Sequence, residues 1–381
     1  MAKEDARDVR HEVFIRSVLL MGSRTGKLAE VVIVSRGAAA PMGRIMSFVD
    51  IPTHREFFEE EQTLTGHTSG VTCMTQIYDG RVVSGSLDKS LVVWTPGGGR
   101  RSQRHTDTVE CVAQLCDSST SSLYFVSGSH DNTLILWRER ESGAFVSTQI
   151  LRGHTSSVVC VAQLNNMLGC ASFVSGSWDK TLIVWSSGDM SHRRGPWGFV
   201  AWEPLFGHTD KVNCVAKIDG GCFVSGSSDN RSGGCFVSGS SDNTLIVWAR
   251  YDYGEFAASQ ILTGHTSAVM CVAQLDGRRL VSGSGDKTLI VWVKGDDGMF
   301  AAAQTLAGHT ESVRCMMQLD DRRIVSGSDD NTLIVWAAGG DGAFAATQTL
   351  SGHTGGVWDV AKLDSGRFVS GSEDKTLKVW E

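Results

Sequence analysis

Histidine, serine and aspartate side chains recur together along this chain, and hydrolases use the same three residue types for nucleophilic catalysis. The pattern Val-Ser-Gly-Ser-x-Asp-x-x-Leu-x-x-Trp follows a His-Thr pair in seven successive units, which end at Trp94, Trp137, Trp185, Trp248, Trp292, Trp336 and Trp380. An enzyme needs one activated nucleophile, whereas here the set occurs seven times. The repetition therefore predicts a structural role for these residues and no catalytic residue.

Ten cysteines raise the alternatives of a metal site or a disulfide framework. Six of them stand six residues after the histidine of successive units, at Cys73, Cys111, Cys160, Cys214, Cys271 and Cys315. Equivalent sites on different units cannot converge on one ion, and no Cys-x-x-Cys pair occurs. We therefore predict free cysteines buried in inner strands, no metal and no cofactor, and a reducing compartment, either cytosol or nucleus. The glycine runs lack the Gly-Lys-Ser/Thr ending of a P-loop, which argues against phosphate binding.

Composition and charge narrow the class of protein further. The 381 residues include 43 Gly and 11 Trp but only 5 Pro, which is typical of many tight turns between strands. Residues 58–381 carry 26 Lys and Arg against 35 Asp and Glu. An acidic body does not attract phosphate backbones, so we predict no nucleic-acid partner. No stretch approaches the roughly 18 apolar residues of a membrane span, and the Val18–Met21 run is too short for a signal-peptide core.

Each unit is predicted to contain four short strands. In the sixth unit the strands are predicted at Ala303–Leu306, Val313–Leu319, Arg323–Ser328 and Thr332–Ala337, because β-branched residues alternate there between Gly, Asp and Asn turns. One four-stranded sheet cannot bury both of its faces. Several sheets packed side by side can, so each unit needs its neighbours.

These motifs identify residues 58–381 as similar to the WD40-repeat family, although no closing Trp is followed by Asp. The resemblance implies an all-β, seven-bladed β-propeller of four-stranded antiparallel blades. It also implies a structural network in each blade, in which Asp bonds His, His bonds Ser, and Ser bonds the Trp indole. By matching positions, the network sets are His67, Ser84, Asp88 and Trp94; His105, Ser127, Asp131 and Trp137; His154, Ser175, Asp179 and Trp185; His208, Ser238, Asp242 and Trp248; His265, Ser282, Asp286 and Trp292; His309, Ser326, Asp330 and Trp336; and His353, Ser370, Asp374 and Trp380.

In this family the first strand of a unit is the outer strand of the preceding blade. The last blade then lacks a fourth strand, and residues 59–64 are predicted to supply it and close the ring without an open edge.

Two irregularities interrupt the repeat. The segment Thr95–Arg104 is short, so we predict a stunted outer strand in the first blade, with an edge open to aggregation or to a partner's strand. The segment Gly220–Asn230 recurs as Gly233–Asn243, and thirteen residues cannot form another blade. The second copy is predicted to pair, because Asp242 keeps the usual distance to Trp248, while the first copy extends a loop. A genuine duplication and a faulty gene model both remain open.

Comparing the seven units separates framework positions from two variable positions. The residues five after the histidine are Thr72, Glu110, Val159, Asn213, Met270, Arg314 and Trp358, and those before the aspartate are Leu87, His130, Trp178, Ser241, Gly285, Asp329 and Glu373. The Asp–His bond implies that both turns lie at one end of the propeller, which we call the top face, where the variable residues should surround the central channel. Trp and Arg are enriched in binding hot spots. We predict a partner with basic or aromatic groups, bound by Glu110, His130, Trp178, Asn213, Met270, Arg314, Asp329, Trp358 and Glu373, the alternative being variation without function.

The family resemblance implies a non-enzymatic scaffold that holds protein or peptide partners, as a monomeric propeller within a larger complex. The alternative function is a substrate-recognition subunit of a ubiquitin ligase. Residues 1–57 have no repeat and are predicted to be a poorly ordered or irregular extension, with an F-box-like adaptor segment as the alternative. An enzyme would need a unique, unrepeated cluster, and the sequence shows none.

Overall fold

A computed structural model describes residues 58–77, 80–95, 98–115, 124–167, 170–187, 198–218, 235–250, 255–363 and 366–381, without the side chains of 165–170. The predicted N-terminal extension, its F-box-like alternative and the first copy of the duplicated segment lie outside these residues.

The described residues form seven antiparallel sheets of four strands, which are the blades of a propeller. Blade 1 contains β2 Val71–Gln76, β3 Val82–Ser86, β4 Leu91–Thr95 and β5 Gly98–Ser102; blade 2 contains β6 Val109–Leu115, β7 Tyr124–Ser129, β8 Thr133–Glu139 and β9 Phe145–Arg152; blade 3 contains β10 Val158–Met167, β11 Cys170–Ser177, β12 Leu182–Ser187 and β13 Phe199–Ala201; blade 4 contains β14 Val212–Ile218, β15 Cys235–Ser240, β16 Leu245–Arg250 and β17 Phe256–Leu262. Blade 5 contains β18 Val269–Asp276, β19 Arg279–Ser284, β20 Thr288–Lys294 and β21 Phe300–Ala307; blade 6 contains β22 Val313–Asp320, β23 Arg323–Ser328, β24 Thr332–Ala338 and β25 Phe344–Ser351; blade 7 contains β26 Val357–Lys362, β27 Phe368–Ser372, β28 Thr376–Trp380 and β1 Glu60–Thr65. The inner strand of each blade contacts that of the next, and β26 contacts β2, so the ring is closed. The predicted seven-bladed, all-β architecture is confirmed.

The tight turn before the last repeat strand sets the register of each blade. In blade 6 the Asn331 N–H donates to the Ser328 carbonyl at 3.2 Å, and the Asp330 N–H donates to Ser328 Oγ at 3.1 Å. Asn331 then takes a left-handed conformation with φ 69°. Asparagine is one of the few non-glycine residues that adopt this conformation readily, and the hydrogen bonds of the turn hold it there.

The glycine between the two serines of each unit allows neighbouring blades to approach closely. A Cβ atom at Gly327 would lie 2.6 Å from Cys315 Sγ and 2.7 Å from Val357 Cγ1 of the next blade. A side chain there would push blades 6 and 7 apart. The recurring Ser-Gly-Ser motif is therefore a packing requirement of the ring.

The ring closes through β1, as predicted for residues 59–64. This strand pairs antiparallel with β28, with Leu64 opposite Leu377, and Glu59 exchanges two backbone hydrogen bonds with Glu381. Just before β1, the buried Phe58 ring meets Phe368 edge to face, with centroids 5.1 Å apart. The first described strand is thus held by both backbone pairing and core packing.

The irregular units behave as their spacing predicts, with one addition. The outer strand β5 of blade 1 has five residues, against seven or eight in β9, β17, β21 and β25. The second copy of the duplication forms β15, which pairs with β14 and β16, so that prediction is confirmed. The short outer strand β13 in blade 3, with three residues, is not among the predicted irregularities.

A glutamine clasp joins the outer strands of several neighbouring blades. The Gln304 amide donates to the Phe344 carbonyl at 2.7 Å and accepts the Phe344 N–H at 2.9 Å. The same pair of bonds joins Gln149 to Phe199, Gln260 to Phe300, and Gln348 to Phe58. In blade 3 the equivalent position is Glu203, two residues before Leu205, and a carboxylate cannot donate such a bond.

Candidate functional site

The His, Ser, Asp and Trp residues of each unit form one buried hydrogen-bonded chain. In blade 6, Trp336 Nε1–H donates to Ser326 Oγ at 2.9 Å, and Ser326 Oγ lies 2.8 Å from His309 Nε2. His309 Nδ1 lies 2.9 Å from Asp330 Oδ2, while Oδ1 accepts the Thr332 hydroxyl at 2.6 Å. These contacts assign the His309 proton to Nδ1, with Nε2 accepting from serine.

All seven blades contain this chain with almost the same geometry. The Trp–Ser distances are 2.8–2.9 Å, the Ser–His distances are 2.8 Å and the His–Asp distances are 2.8–3.1 Å. In blade 1, Arg101 also contacts Asp88 and donates to Ser90 Oγ at 2.8 Å. Each serine hydroxyl is held between an indole and an imidazole, and seven equal copies leave none distinguished as a nucleophile.

The charges in this chain are fixed by burial and by hydrogen bonds. Burial lowers the pKa of His309, although Asp330 partly opposes the shift, so the imidazole is neutral near pH 7. Burial disfavours ionisation of Asp330, but hydrogen bonds from Thr332, the Thr310 backbone and His309 outweigh it and lower the carboxyl pKa. The same balance lowers the pKa of Asp88 and of Asp374 to about 2.

The inner strands enclose a central channel with a cavity of about 460 Å³. The residues five after each histidine all line it: Thr72, Glu110, Val159, Asn213, Met270, Arg314 and Trp358. Equivalent backbone positions thus present seven different side chains to one space. This variable position of the repeat therefore faces the channel in every blade.

The residue before the aspartate contacts the residue five after the histidine in the same blade. In blade 6, Arg314 Nε donates to Asp329 Oδ2 at 2.7 Å, and in blade 4, Asn213 Nδ2 donates to Ser241 Oγ at 3.1 Å. The residues before the aspartate therefore stand at the rim, where they orient the residues that line the channel. Of this second set, Leu87 and Trp178 also line the cavity.

Four side chains form a continuous row across blades 2 to 4. Glu110 Oε1 lies 3.2 Å from His130 Nε2, and the His130 ring lies 4.8 Å from the Trp178 ring. Lys211 Nζ lies 4.2 Å from the centre of the Trp178 ring. A cation in this position is attracted to the aromatic face. Trp178 is therefore fixed by internal partners, and part of its face is already used.

The tryptophan on the opposite side of the channel bridges blades 7 and 1. A Cβ atom at Gly70 would lie 2.6 Å from the Trp358 ring and 3.2 Å from the Glu373 Cα atom. The Trp358 indole thus lies directly over the Gly70 backbone, close to Glu373. The structure brings all nine predicted partner-binding residues to the channel or its rim, with His130, Asp329 and Glu373 at the rim.

The inner wall of the channel carries the equivalent cysteines, which are buried and free in blades 1 to 6. Burial raises the pKa of Cys214 to about 12, so this thiol is protonated and unreactive at neutral pH. Cys235 of β15, by contrast, is disulfide-bonded, which corrects the prediction of free cysteines at that position. A disulfide needs two sulfur atoms about 2 Å apart, and the spacing of the repeats cannot show such proximity.

In blade 7 the cysteine position holds Asp359, whose role the sequence reading missed. Asp359 Oδ2 accepts the Met74 N–H of blade 1 at 2.5 Å, and Oδ1 accepts the Val360 N–H at 2.9 Å. Burial raises the pKa of this carboxyl to about 7, although the two N–H groups partly offset the effect. The sequence could have indicated that this residue is different, because six units have cysteine at this position and the seventh does not.

Lys211 was also missed, and the repeat alignment could have found it. The third residue after the histidine is small in the other six units, namely Gly70, Thr108, Ser157, Ala268, Ser312 and Gly356. The contacts between the two variable positions of a unit could also have been predicted from the sequence, because Glu with His, Asn with Ser and Arg with Asp are complementary pairs.

Within the described ranges, no group of three or more His, Cys, Asp or Glu side chains is placed to hold a metal ion. The same residues include no helix that is both long enough and apolar enough to cross a membrane.

Comparison with known proteins gives two findings. The family described as "WD domain, G-beta repeat" matches residues 58–95, 100–138, 145–186, 203–249, 257–293, 301–337 and 344–381. A protein from Ixodes scapularis named "Ribosome biogenesis protein WDR12 homolog" is 34% identical over 84 residues, which is 21% of this chain and 20% of the relative. The chain therefore matches about a fifth of that relative's length.

Proposed function

We propose, on the premise that this chain belongs to the WD40 family, that it is a non-enzymatic scaffold whose top face binds protein or peptide partners. One observation carries the proposal: at equivalent backbone positions of their inner strands, the seven blades present seven different side chains to the channel. The 28 network residues hold the seven blades in the same geometry, while the side chains at these positions vary. Such an arrangement is suited to binding a partner rather than to catalysis.

The internal contacts of the variable residues support this role. Arg314 is held by Asp329, Trp178 by His130 and Lys211, and Trp358 by the Gly70 backbone. A surface that is already ordered loses less side-chain entropy when a partner binds. The Glu110 carboxyl in the channel and the exposed Glu373 carboxyl at the rim favour a partner with basic groups, and the two indoles favour aromatic ones.

The propeller is proposed to act as a single copy within a larger complex, in the cytosol or the nucleus. The short match to a relative named for ribosome biogenesis is compatible with membership of such a complex.

Affinity purification with a triple variant tests the proposal. Trp178→Ala, Arg314→Ala and Trp358→Ala should together remove partners that the wild type captures. The matched control replaces three exposed apolar residues on outer strands, Ile150, Val200 and Ile261, with alanine and should keep those partners. Thermal unfolding of both variants checks that the ring remains folded. Identical partner lists for the wild type and the top-face variant would refute the proposal.

A further inference from the structure

A carboxyl group and an imidazole meet at the channel mouth without a hydrogen bond between them. Glu110 Oε1 lies 3.2 Å from His130 Nε2, yet this buried nitrogen has no hydrogen-bond partner among the described residues. The Glu110 side chain is only 21% exposed, and no described N–H or O–H group donates to it. A buried acceptor without a donor costs about 1–3 kcal/mol, so this arrangement favours a ligand that supplies one.

The charged groups around Glu110 do not provide that donor. Arg314 approaches from β22 of blade 6, but its Nε donates to Asp329. Asp107 lies on the turn before β6 and repels the Glu110 charge, and the nearby thiols of Cys73 and Cys111 are buried. Burial raises the pKa of Glu110 to about 7 and lowers the pKa of His130. Without a ligand, the site thus contains a half-protonated carboxyl beside a neutral imidazole near pH 7.

A guanidinium group fits this pair when His130 carries its proton on Nδ1, because Nε2 is then an acceptor beside the Glu110 carboxylate. It is planar, always charged and carries parallel N–H groups, so one group reaches a carboxylate oxygen and a neighbouring nitrogen about 3 Å away. The adjoining Trp178 ring lines the same cavity as Glu110 and forms a flat wall beside the guanidinium, whereas the Lys211 ammonium, 4.2 Å from the ring centre, is a like charge whose repulsion the Glu110 carboxylate must outweigh.

We propose that an arginine side chain of a partner protein enters the top mouth of the channel and donates hydrogen bonds to Glu110 and His130. The inference rests on the proposed function of the top face and names the group that this face recognises. It assigns Glu110 as the charge acceptor, His130 as the second acceptor and Trp178 as the wall beside the guanidinium.

Binding in this mode is coupled to proton release. The neutral carboxyl of Glu110 gives its proton to the solvent and becomes the carboxylate that pairs with the guanidinium, while arginine keeps its charge. Affinity therefore rises with pH until Glu110 is fully ionised in the free protein. For one coupled proton and a pKa of about 7, affinity should increase about tenfold between about pH 6 and about pH 8.

Fluorescence anisotropy with two labelled peptides tests the proposal on the full chain. One fluorescein-labelled hexapeptide carries a single central arginine, and its twin carries citrulline, which has nearly the same shape without the charge. We expect the arginine peptide to bind at least about tenfold more tightly than its twin at about pH 8, and this preference to shrink by a factor of about ten at about pH 6. Equal binding of the two peptides at the higher pH, or no binding of either, would overturn the proposal.

Two variants test whether Glu110 is responsible for the preference for the arginine peptide. Glu110→Gln should abolish both the arginine preference and its pH dependence, whereas Glu311→Gln, which changes an exposed acid on the turn after His309 that is not a predicted partner-binding residue, should leave the preference within about twofold. An arginine preference that persists in Glu110→Gln contradicts the assignment, and the citrulline comparison in wild type remains decisive if that variant does not fold. If the triple top-face variant loses partners but the arginine peptide does not bind, the proposed function stands and this inference fails.

Discussion

Replacing Asp359 with asparagine should stabilise the propeller at neutral and alkaline pH but not in acid. The carboxyl accepts the Met74 N–H of blade 1 at 2.5 Å across the junction where the ring closes. Asparagine keeps an acceptor oxygen for this N–H but has no ionised form to bury. The substitution thus removes the charge and preserves the contact with Met74 across the junction.

The sign and the size of the effect depend on the pKa of Asp359. Burial raises it to about 7 from an ordinary value of 3.8, so the folded protein binds this proton more tightly than the unfolded chain. The resulting stabilisation is complete below about pH 4 and is lost as the pH rises through about 7. A difference of about three pKa units corresponds to about 4 kcal/mol. Because the residue is only partly buried against the channel, we expect about 1–3 kcal/mol.

Thermal unfolding at a series of pH values measures this difference. The midpoints of wild type and Asp359→Asn should agree within about 1 °C near pH 4, and the variant should unfold about 2–6 °C higher near pH 8. Asp321→Asn, which changes an exposed aspartate, is the matched control and should track the wild type at every pH. A difference that does not change with pH, or a variant that is less stable near pH 8, would refute the reasoning.

Three further predictions concern the framework. Deleting residues 57–65 removes β1 and should lower the unfolding midpoint of the whole propeller, because β28 then becomes an open edge. Asp330→Ala should cost about 2–4 kcal/mol in urea unfolding, since it removes several hydrogen bonds and leaves the buried His309 Nδ1–H without its acceptor. Glu203→Gln should raise stability by about 1 kcal/mol in the same assay, because it completes the clasp to Phe256 in the next blade.

Each of these three predictions has a control variant and an outcome that would contradict it. A truncation of residues 1–56 keeps β1 and should retain the closed ring, whereas unchanged unfolding after deletion of 57–65 would argue against closure by this strand. Asp321→Ala is the exposed counterpart of Asp330→Ala, and equal stabilities of these two variants would contradict the network's role. Glu203→Asp cannot donate a hydrogen bond, so a gain in stability from it would point away from the clasp.

The blades could be predicted from sequence because their spacing repeats. The predicted strand Arg323–Ser328 has the bounds that the structure shows, since Gly, Asp and Asn limit the strand at both ends. The predicted outer strand of the fifth blade is too short at its N-terminal end, because it begins at Ala303 rather than Phe300. There the pairing of Phe300 with Lys294 and its clasp to Gln260 depend on neighbours outside the strand itself.

The candidate site could be predicted less completely, because its properties depend on contacts between blades. Sequence comparison finds that Glu110 and Trp178 stand at variable positions, but not that His130 lies between them. The Lys211 contact with Trp178 joins blades 3 and 4, and the Asp359 contact joins blades 7 and 1. A repeat pattern describes what the units share, whereas these contacts arise where one unit differs from the next.

The pairing of β1 with β28 also imposes an order of events during synthesis. Leu64 is made roughly 300 residues before its partner Leu377, so at about 5–20 residues per second β1 waits roughly 15–60 s on the ribosome. A strand that waits unpaired is exposed to wrong partners, and six neighbouring blades offer similar edges. Its sequence Glu-Glu-Gln-Thr-Leu-Thr is mostly polar and charged, which keeps the waiting segment soluble and discourages premature pairing.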